Sequence, residues 1–191
     1  MRRRDVLKSI AAVGIAGVGV FSWEQWKSSH KNPDYQYLDG QYLLLAALAE
    51  TIIPTTDTAG AKYCNVDKFI VGMVRDCAST HDANSFIDGL KKLVQYSYDM
   101  YGKKYEDCTT PEQVHILRHF EEKGRPMGGI WGKIQKRYVG ESFFSVLKDY
   151  TVLGFCTSEK GMTTSFAYTP VPGAYHGCIP LQGGQRGWAT R

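Results

Sequence analysis

Two histidines, His115 and His119, stand four residues apart in a stretch with the apolar spacing of a helix. This spacing brings both imidazoles to one helix face, where a pair of metal ligands is often found. Glu112 and Glu122 lie within one turn of the pair, but the sequence shows no evident third ligand nearby. Because histidine pairs are also common in cores and on surfaces, His115 and His119 are weak metal candidates, and the sequence predicts no metal site.

Cysteine is the second reactive residue type, with five copies in the chain. An oxidising compartment would permit disulfides, and an odd number leaves at least one thiol over. Cys64 and Cys77, thirteen residues apart, could bridge two helix ends. Cys178 could pair within the chain or with another chain, and Cys108 is the remaining disulfide candidate. Buried, unreactive thiols are the alternative, especially for Cys77 and Cys156 because both fall in predicted helices.

The standard signatures of a catalytic or cofactor-binding chain do not occur in this sequence. It has no Gly-x-Gly-x-x-Gly for a dinucleotide, no Cys-x-x-Cys-His for haem attachment and no Cys-x-x-Cys redox or zinc motif. It also lacks the Gly-x-Ser-x-Gly turn of serine hydrolases. We therefore predict no catalytic residue and no cofactor in this chain.

The charge of the chain is concentrated at its N-terminus. The 191 residues include 23 basic and 19 acidic side chains, for a formal net charge of +4. Four of the basic residues and one acidic residue precede residue 22, so the rest of the chain carries a net charge of only +1. A nearly neutral body argues against a nucleic-acid partner.

The first 21 residues have the pattern of an export signal. Arg3 and Arg4, followed by Leu7 and Lys8, precede a run of small and apolar residues that is short for a bilayer span. This arrangement resembles the bacterial twin-arginine signal, which implies the twin-arginine translocase as a partner and the periplasm as the destination. No clear cleavage site follows, so retention of residues 1–21 as a membrane anchor is the alternative.

The remainder predicts an all-α protein of about five helices. Residues 22–40 are interpreted as a linker, 41–160 as the helical domain and 161–191 as an extended tail. Helical patterns cover approximately residues 42–53, 65–77, 83–105, 110–124 and 142–157. Thr110 followed by Pro111 and Gln113 predicts a capping box at the start of the fourth helix.

The tail combines proline and glycine, which exclude a helix, with apolar side chains that are unusual in a free linker. Such a segment must lie against its own helices or against a partner. The residues predicted to form a partner interface are Pro170, Val171, Pro172, Tyr175, Cys178, Ile179, Pro180 and Leu181.

Two blocks of sequence, residues 44–61 and 151–181, together with the N-terminal signal, resemble the gluconate 2-dehydrogenase subunit 3 family. The resemblance implies a small, non-catalytic subunit that escorts and stabilises a large flavoprotein of the glucose–methanol–choline type. That partner would hold FAD and oxidise a sugar or sugar acid, and a cytochrome c subunit with haem c could take the electrons. The additional cysteines Cys64, Cys77 and Cys108 depart from the family pattern. The alternative functions are a membrane-anchored interaction module and an independent periplasmic metal-binding protein.

Overall fold

The computed structural model describes residues 31–125 and 142–167, with Gly173, Cys178, Pro180 and residues 183–188. The predicted export signal, including Arg3, Arg4, Leu7 and Lys8, lies outside the described residues. So do six of the predicted interface residues: Pro170, Val171, Pro172, Tyr175, Ile179 and Leu181. These predictions stay predictions.

Helices account for the regular structure of the described residues, which confirms the all-α prediction. Only an isolated bridge between Ala167 and Trp188 has β geometry in this part of the chain. A π-helical turn, Met73–Cys77, continues the helix Val66–Gly72, and a 3₁₀ turn, Tyr105–Asp107, precedes the helix Thr110–Gly124. The α-helices are α1 (Tyr35–Asp39), α2 (Tyr42–Ile52), α3 (Val66–Gly72), α4 (Thr80–Tyr101), α5 (Thr110–Gly124), α6 (Phe143–Thr157) and α7 (Glu159–Ser165).

The core forms where α2, α3, α4 and α6 pack together. As expected for an apolar helix, α2 buries Leu44, Leu45 and Leu48 almost completely, although Leu43 at its start remains 78% exposed. Glycine permits close helix approach at two points on α6 and α4. A Cβ on Gly154 would lie 2.7 Å from the Phe69 ring, and one on Gly89 would lie 2.4 Å from the Phe143 ring.

Several predicted helix ends differ from the observed ones. The helix predicted to reach Tyr105 ends at Tyr101, because Gly102 adopts a left-handed conformation with φ of 67°. Tyr105 is instead buried in the 3₁₀ turn, where its hydroxyl donates to Thr51. The capping box of α5 uses Thr109 and Glu112, one residue before the predicted pair.

Two short helices were not predicted. Helix α1 falls in the stretch interpreted as a linker, where the Asp34 side chain accepts a hydrogen bond from the Tyr37 N–H. Helix α7 extends to Ser165, beyond the predicted domain boundary at residue 160. No helix within residues 31–125 or 142–167 has the length and apolar character that a bilayer span requires.

The capping box of α5 makes a specific prediction about acid stability. The Glu112 carboxylate accepts from the Thr109 N–H at 2.7 Å and contacts the Lys103 Nζ at 2.8 Å. The hydrogen bond from Lys103, aided by Thr109, lowers the pKa of Glu112 from 4.5 to about 2. A depressed folded-state pKa means that this contribution to stability is complete above about pH 4.5 and disappears as the pH falls toward 2.

We expect Glu112→Gln to lower the free energy of unfolding at neutral pH and to flatten its acid dependence, as measured by denaturant titration. Glu122→Gln, at an exposed position on the same helix, is the control and should retain the wild-type dependence. Parallel pH profiles for wild type and Glu112→Gln would contradict the prediction.

Candidate partner interface

Residues 54–61, part of the connection between α2 and α3 and here called the Thr loop, are held in place by one carboxylate. Glu50, in the last turn of α2, accepts from the Thr55 N–H at 2.8 Å and from the Thr55 hydroxyl at 2.6 Å through Oε1. Its Oε2 accepts from the Lys62 N–H at 3.0 Å. Glu50 therefore ties the start of the loop to the residue just beyond its end.

Gly60 is required for this arrangement because no side chain fits at its position. A Cβ there would lie 2.4 Å from the Thr55 Oγ1 and 2.6 Å from the Glu50 Oε2, far inside van der Waals contact. The Ala61 N–H also donates to the Ile53 carbonyl at 3.0 Å, which closes the loop at its base.

The environment of Glu50 keeps its side chain in the ionised form that the loop requires. Burial of the carboxyl raises its pKa, but the hydrogen bonds from Thr55 and Lys62 outweigh that effect. The pKa of Glu50 therefore lies below its ordinary value, so the carboxylate remains an acceptor at neutral pH.

One wall of a surface depression, here called the Thr-loop groove, is formed by the Thr loop. The groove has a volume of about 590 Å³ and is broadly open to solvent. The other wall is formed by α7, and a hydrogen bond of 2.8 Å from the Ala167 N–H to the Gly187 carbonyl holds the neighbouring Arg186 alongside. The lining residues are Thr55, Thr56, Asp57, Thr58, Ala59, Tyr63, Thr163, Thr164 and Arg186.

Tyr63 links the two walls of the Thr-loop groove. Tyr63 is 58% exposed, and the Lys160 Nζ of α7 lies 4.2 Å from the centroid of its ring. The same amine lies 3.5 Å from the Tyr63 carbonyl. The lining combines hydroxyls, one carboxylate and one guanidinium, without a cysteine or histidine. These groups offer hydrogen-bond donors and acceptors to another molecule.

Comparison with known protein families identifies the family of this chain. Residues 39–173 match the family described as gluconate 2-dehydrogenase subunit 3. The chain belongs to this family. No curated protein and no solved structure matches the chain. Membership of the subunit 3 family makes the chain an accessory subunit of an oxidoreductase complex of the gluconate 2-dehydrogenase type, together with other subunits.

The family match covers most, but not all, of the Thr-loop groove. The Thr loop, Tyr63 and α7 lie within the matched residues, whereas Arg186 lies beyond them. The framework of the groove is therefore part of the subunit 3 domain, and its guanidinium comes from the C-terminal segment of this chain.

The weak metal candidates of this subunit 3 chain take part in packing between α4 and α5. The His115 Nδ1 lies 2.9 Å from the Tyr101 hydroxyl, and the His119 ring stacks on Tyr96 with centroids 4.3 Å apart. Within the described residues, no group of three or more His, Cys, Asp or Glu side chains could hold a metal ion. Both imidazoles thus contact tyrosine side chains of α4.

All five cysteines of the chain are free thiols in the structure. Cys64 and Cys108 are buried, Cys156 is half-buried, and Cys77 and Cys178 are exposed. The expectation that Cys77 is a buried thiol is wrong, because Cys77 is exposed at the end of the π-helical turn. The proposed pairings among Cys64, Cys77, Cys108 and Cys178 stay predictions for oxidising conditions.

Sequence reasoning missed the residues that build the Thr-loop groove. Glu50, Gly60 and Arg186 were not among the predicted site residues. A signal was available for the first two, since a glutamate in a helix ahead of Pro54 and a glycine near the end of the following polar loop suit a closed turn. Of the predicted tail interface, the structure describes Cys178 and Pro180, and both are exposed.

Proposed function

We propose that this chain is the non-catalytic small subunit of a periplasmic FAD-dependent sugar or sugar-acid dehydrogenase. In this proposal it escorts a flavoprotein of the glucose–methanol–choline type through the twin-arginine translocase and stabilises it afterwards. FAD is held by that partner, and a cytochrome c subunit with haem c receives the electrons. The observation that carries the proposal is the family match over residues 39–173.

Three further features support an accessory role. The sequence contains no dinucleotide, haem-attachment or hydrolase motif. The Thr-loop groove is broadly open to solvent, unlike the concave pockets that enclose a small substrate. The N-terminal signal belongs to a route that transports folded proteins, and a flavoprotein must fold around its FAD before it is exported.

Co-expression with the flavoprotein tests this proposal. With the chain present, we expect a yellow, FAD-containing protein to co-purify with it and to reach the periplasm. Without the chain, we expect the flavoprotein to remain in the cytoplasm or to become insoluble. A flavoprotein that is equally soluble, active and periplasmic by itself would overturn the proposal.

Deletion of residues 170–181 tests the predicted role of the tail. We expect the deletion to weaken flavoprotein co-purification severely while leaving the helical circular dichroism signal near that of the full chain. The reason is that the buried hydrophobic residues of the described core lie between Leu38 and Phe155. A loss of helical signal as large as the loss of binding would show that the tail is part of the core.

A membrane-anchored interaction module is the second candidate function. It is favoured by the lack of a sharp cleavage site after Phe21 and by Trp23 and Trp26, which suit a membrane interface. N-terminal sequencing of the mature protein distinguishes the two, since a start beyond residue 21 excludes the anchor.

A further inference from the structure

We infer that the Thr-loop groove docks an extended, carboxylate-bearing segment of the flavoprotein subunit, with Arg186 receiving the carboxylate. This inference rests on the proposed function, because it names the surface and the chemistry by which the escorted partner is held. It follows from the hydrogen-bonding groups that the groove leaves free.

The threonine hydroxyls on the α2 side of the groove already donate their protons within the chain. The Thr55 hydroxyl donates to Glu50, as described above, and the Thr56 hydroxyl donates to Asp57 Oδ1 at 2.9 Å. The Thr58 hydroxyl lies 3.4 Å from the Thr56 oxygen, and since the Thr56 proton is committed to Asp57, Thr58 is the donor in that contact.

The two threonines of α7 are occupied in the same way. The Thr163 hydroxyl donates to the Glu159 carbonyl at 2.8 Å, and the Thr164 hydroxyl donates to the Lys160 carbonyl at 2.6 Å. All five threonine hydroxyls of the groove therefore present oxygen lone pairs and methyl groups to a ligand. Together with Asp57, they suit the N–H groups of an extended peptide.

In contrast to the threonine oxygens, which accept hydrogen bonds, two side chains of the groove offer free donors. Within the described residues, the Arg186 guanidinium has no ion-pair or hydrogen-bond partner, and neither has the Tyr63 hydroxyl. A guanidinium offers five N–H donors in a planar fork that fits a carboxylate. The nearby Lys160 ammonium adds a second positive charge beside Tyr63.

The combination selects a peptide over a small anion. Inorganic phosphate could pair its oxygens with Arg186, but it has no N–H groups for the Asp57 carboxylate and the threonine oxygens of the lining. An extended segment carries both N–H donors and a side-chain carboxylate, and the groove is open enough to solvent to admit one. The Glu50 contacts hold the Thr loop in place before binding, which reduces the entropy lost on association.

The complex of wild-type chain with the co-expressed, identified flavoprotein provides the assay. We expect Arg186→Glu to raise the dissociation constant by about tenfold or more. Reversing a charge opposite a carboxylate both removes the ion pair and adds repulsion. The wild-type affinity should fall with salt, and that of Arg186→Glu should fall less. Arg125→Glu, exposed at the end of α5, is the matched control and should bind as wild type does.

Carbodiimide cross-linking of the same complex locates the carboxylate. We expect an amide bond between the Lys160 Nζ and an Asp or Glu of the flavoprotein, identified by mass spectrometry, and none from Lys92 on the outer face of α4. Wild-type affinity in Arg186→Glu, or cross-links from Lys160 only to a second copy of this chain, would overturn the inference. Both results would leave the proposed function intact, whereas a wild-type chain that binds no flavoprotein would refute the proposed function itself.

Discussion

Replacing Arg3 and Arg4 together by lysine is expected to reduce periplasmic dehydrogenase activity to background, although the charge of the chain is unchanged. The guanidinium and the ammonium are not equivalent in recognition, because only arginine presents a planar fork of donors. If the flavoprotein travels bound to this chain, it loses export together with the chain. The measurement is fractionation of cells that express both proteins, followed by immunodetection and activity assay of each fraction.

The neighbouring Arg2 supplies the matched control for that double variant. Arg2→Lys leaves the Arg3–Arg4 pair and its spacing to Leu7 and Lys8 intact, so export of both proteins should persist. Periplasmic activity that survives in the double variant would refute joint export. Loss of export for this chain alone, with the flavoprotein still periplasmic, would confirm the signal and refute the escort role.

The long helices were predictable because their signals are local. The apolar residues of α2, and the Ser142 cap ahead of α6, identify each helix from a short stretch of sequence. Both helices lie nearly where they were expected. Helix α7 was missed because Gly161 and the pair Thr163–Thr164 are poor helix formers. Its formation depends on the Ser158 cap and on packing against α6, where a Cβ on Gly161 would lie 2.1 Å from the Phe155 carbonyl.

The Thr-loop groove could not be predicted because its parts are distant in sequence. Arg186 reaches the groove through the backbone contact between Ala167 and Gly187, and no periodicity in the chain indicates that pairing. The role of Glu50 depends on which backbone N–H groups the loop turns toward it. Family resemblance singled out the Thr-loop sequence as distinctive, but only the fold shows that one carboxylate organises it.

Glu50→Ala is expected to destabilise the chain by about 1–3 kcal/mol and to abolish binding of the flavoprotein. The substitution removes the acceptor of three hydrogen bonds and leaves the Thr55 and Lys62 N–H groups to water. Without that acceptor the Thr loop loses its closed conformation, and the Thr-loop groove loses one wall. Thermal unfolding gives the stability, and co-purification of the flavoprotein gives the binding.

Three further variants distinguish the effect of the Thr-loop conformation from the effect of the Glu50 charge. Glu50→Gln keeps the acceptor for Thr55 but turns an amide N–H toward the Lys62 N–H. Its losses of stability and of flavoprotein binding should therefore be intermediate. Gly60→Val retains the Glu50 residue but places a side chain against its carboxylate. This variant should abolish binding of the flavoprotein, as Glu50→Ala does. Glu122→Ala, on an exposed face of α5, should change neither quantity. If Glu50→Ala and Gly60→Val both bind the flavoprotein normally, the Thr loop has no part in the interface, since each removes the same structure by a different physical route.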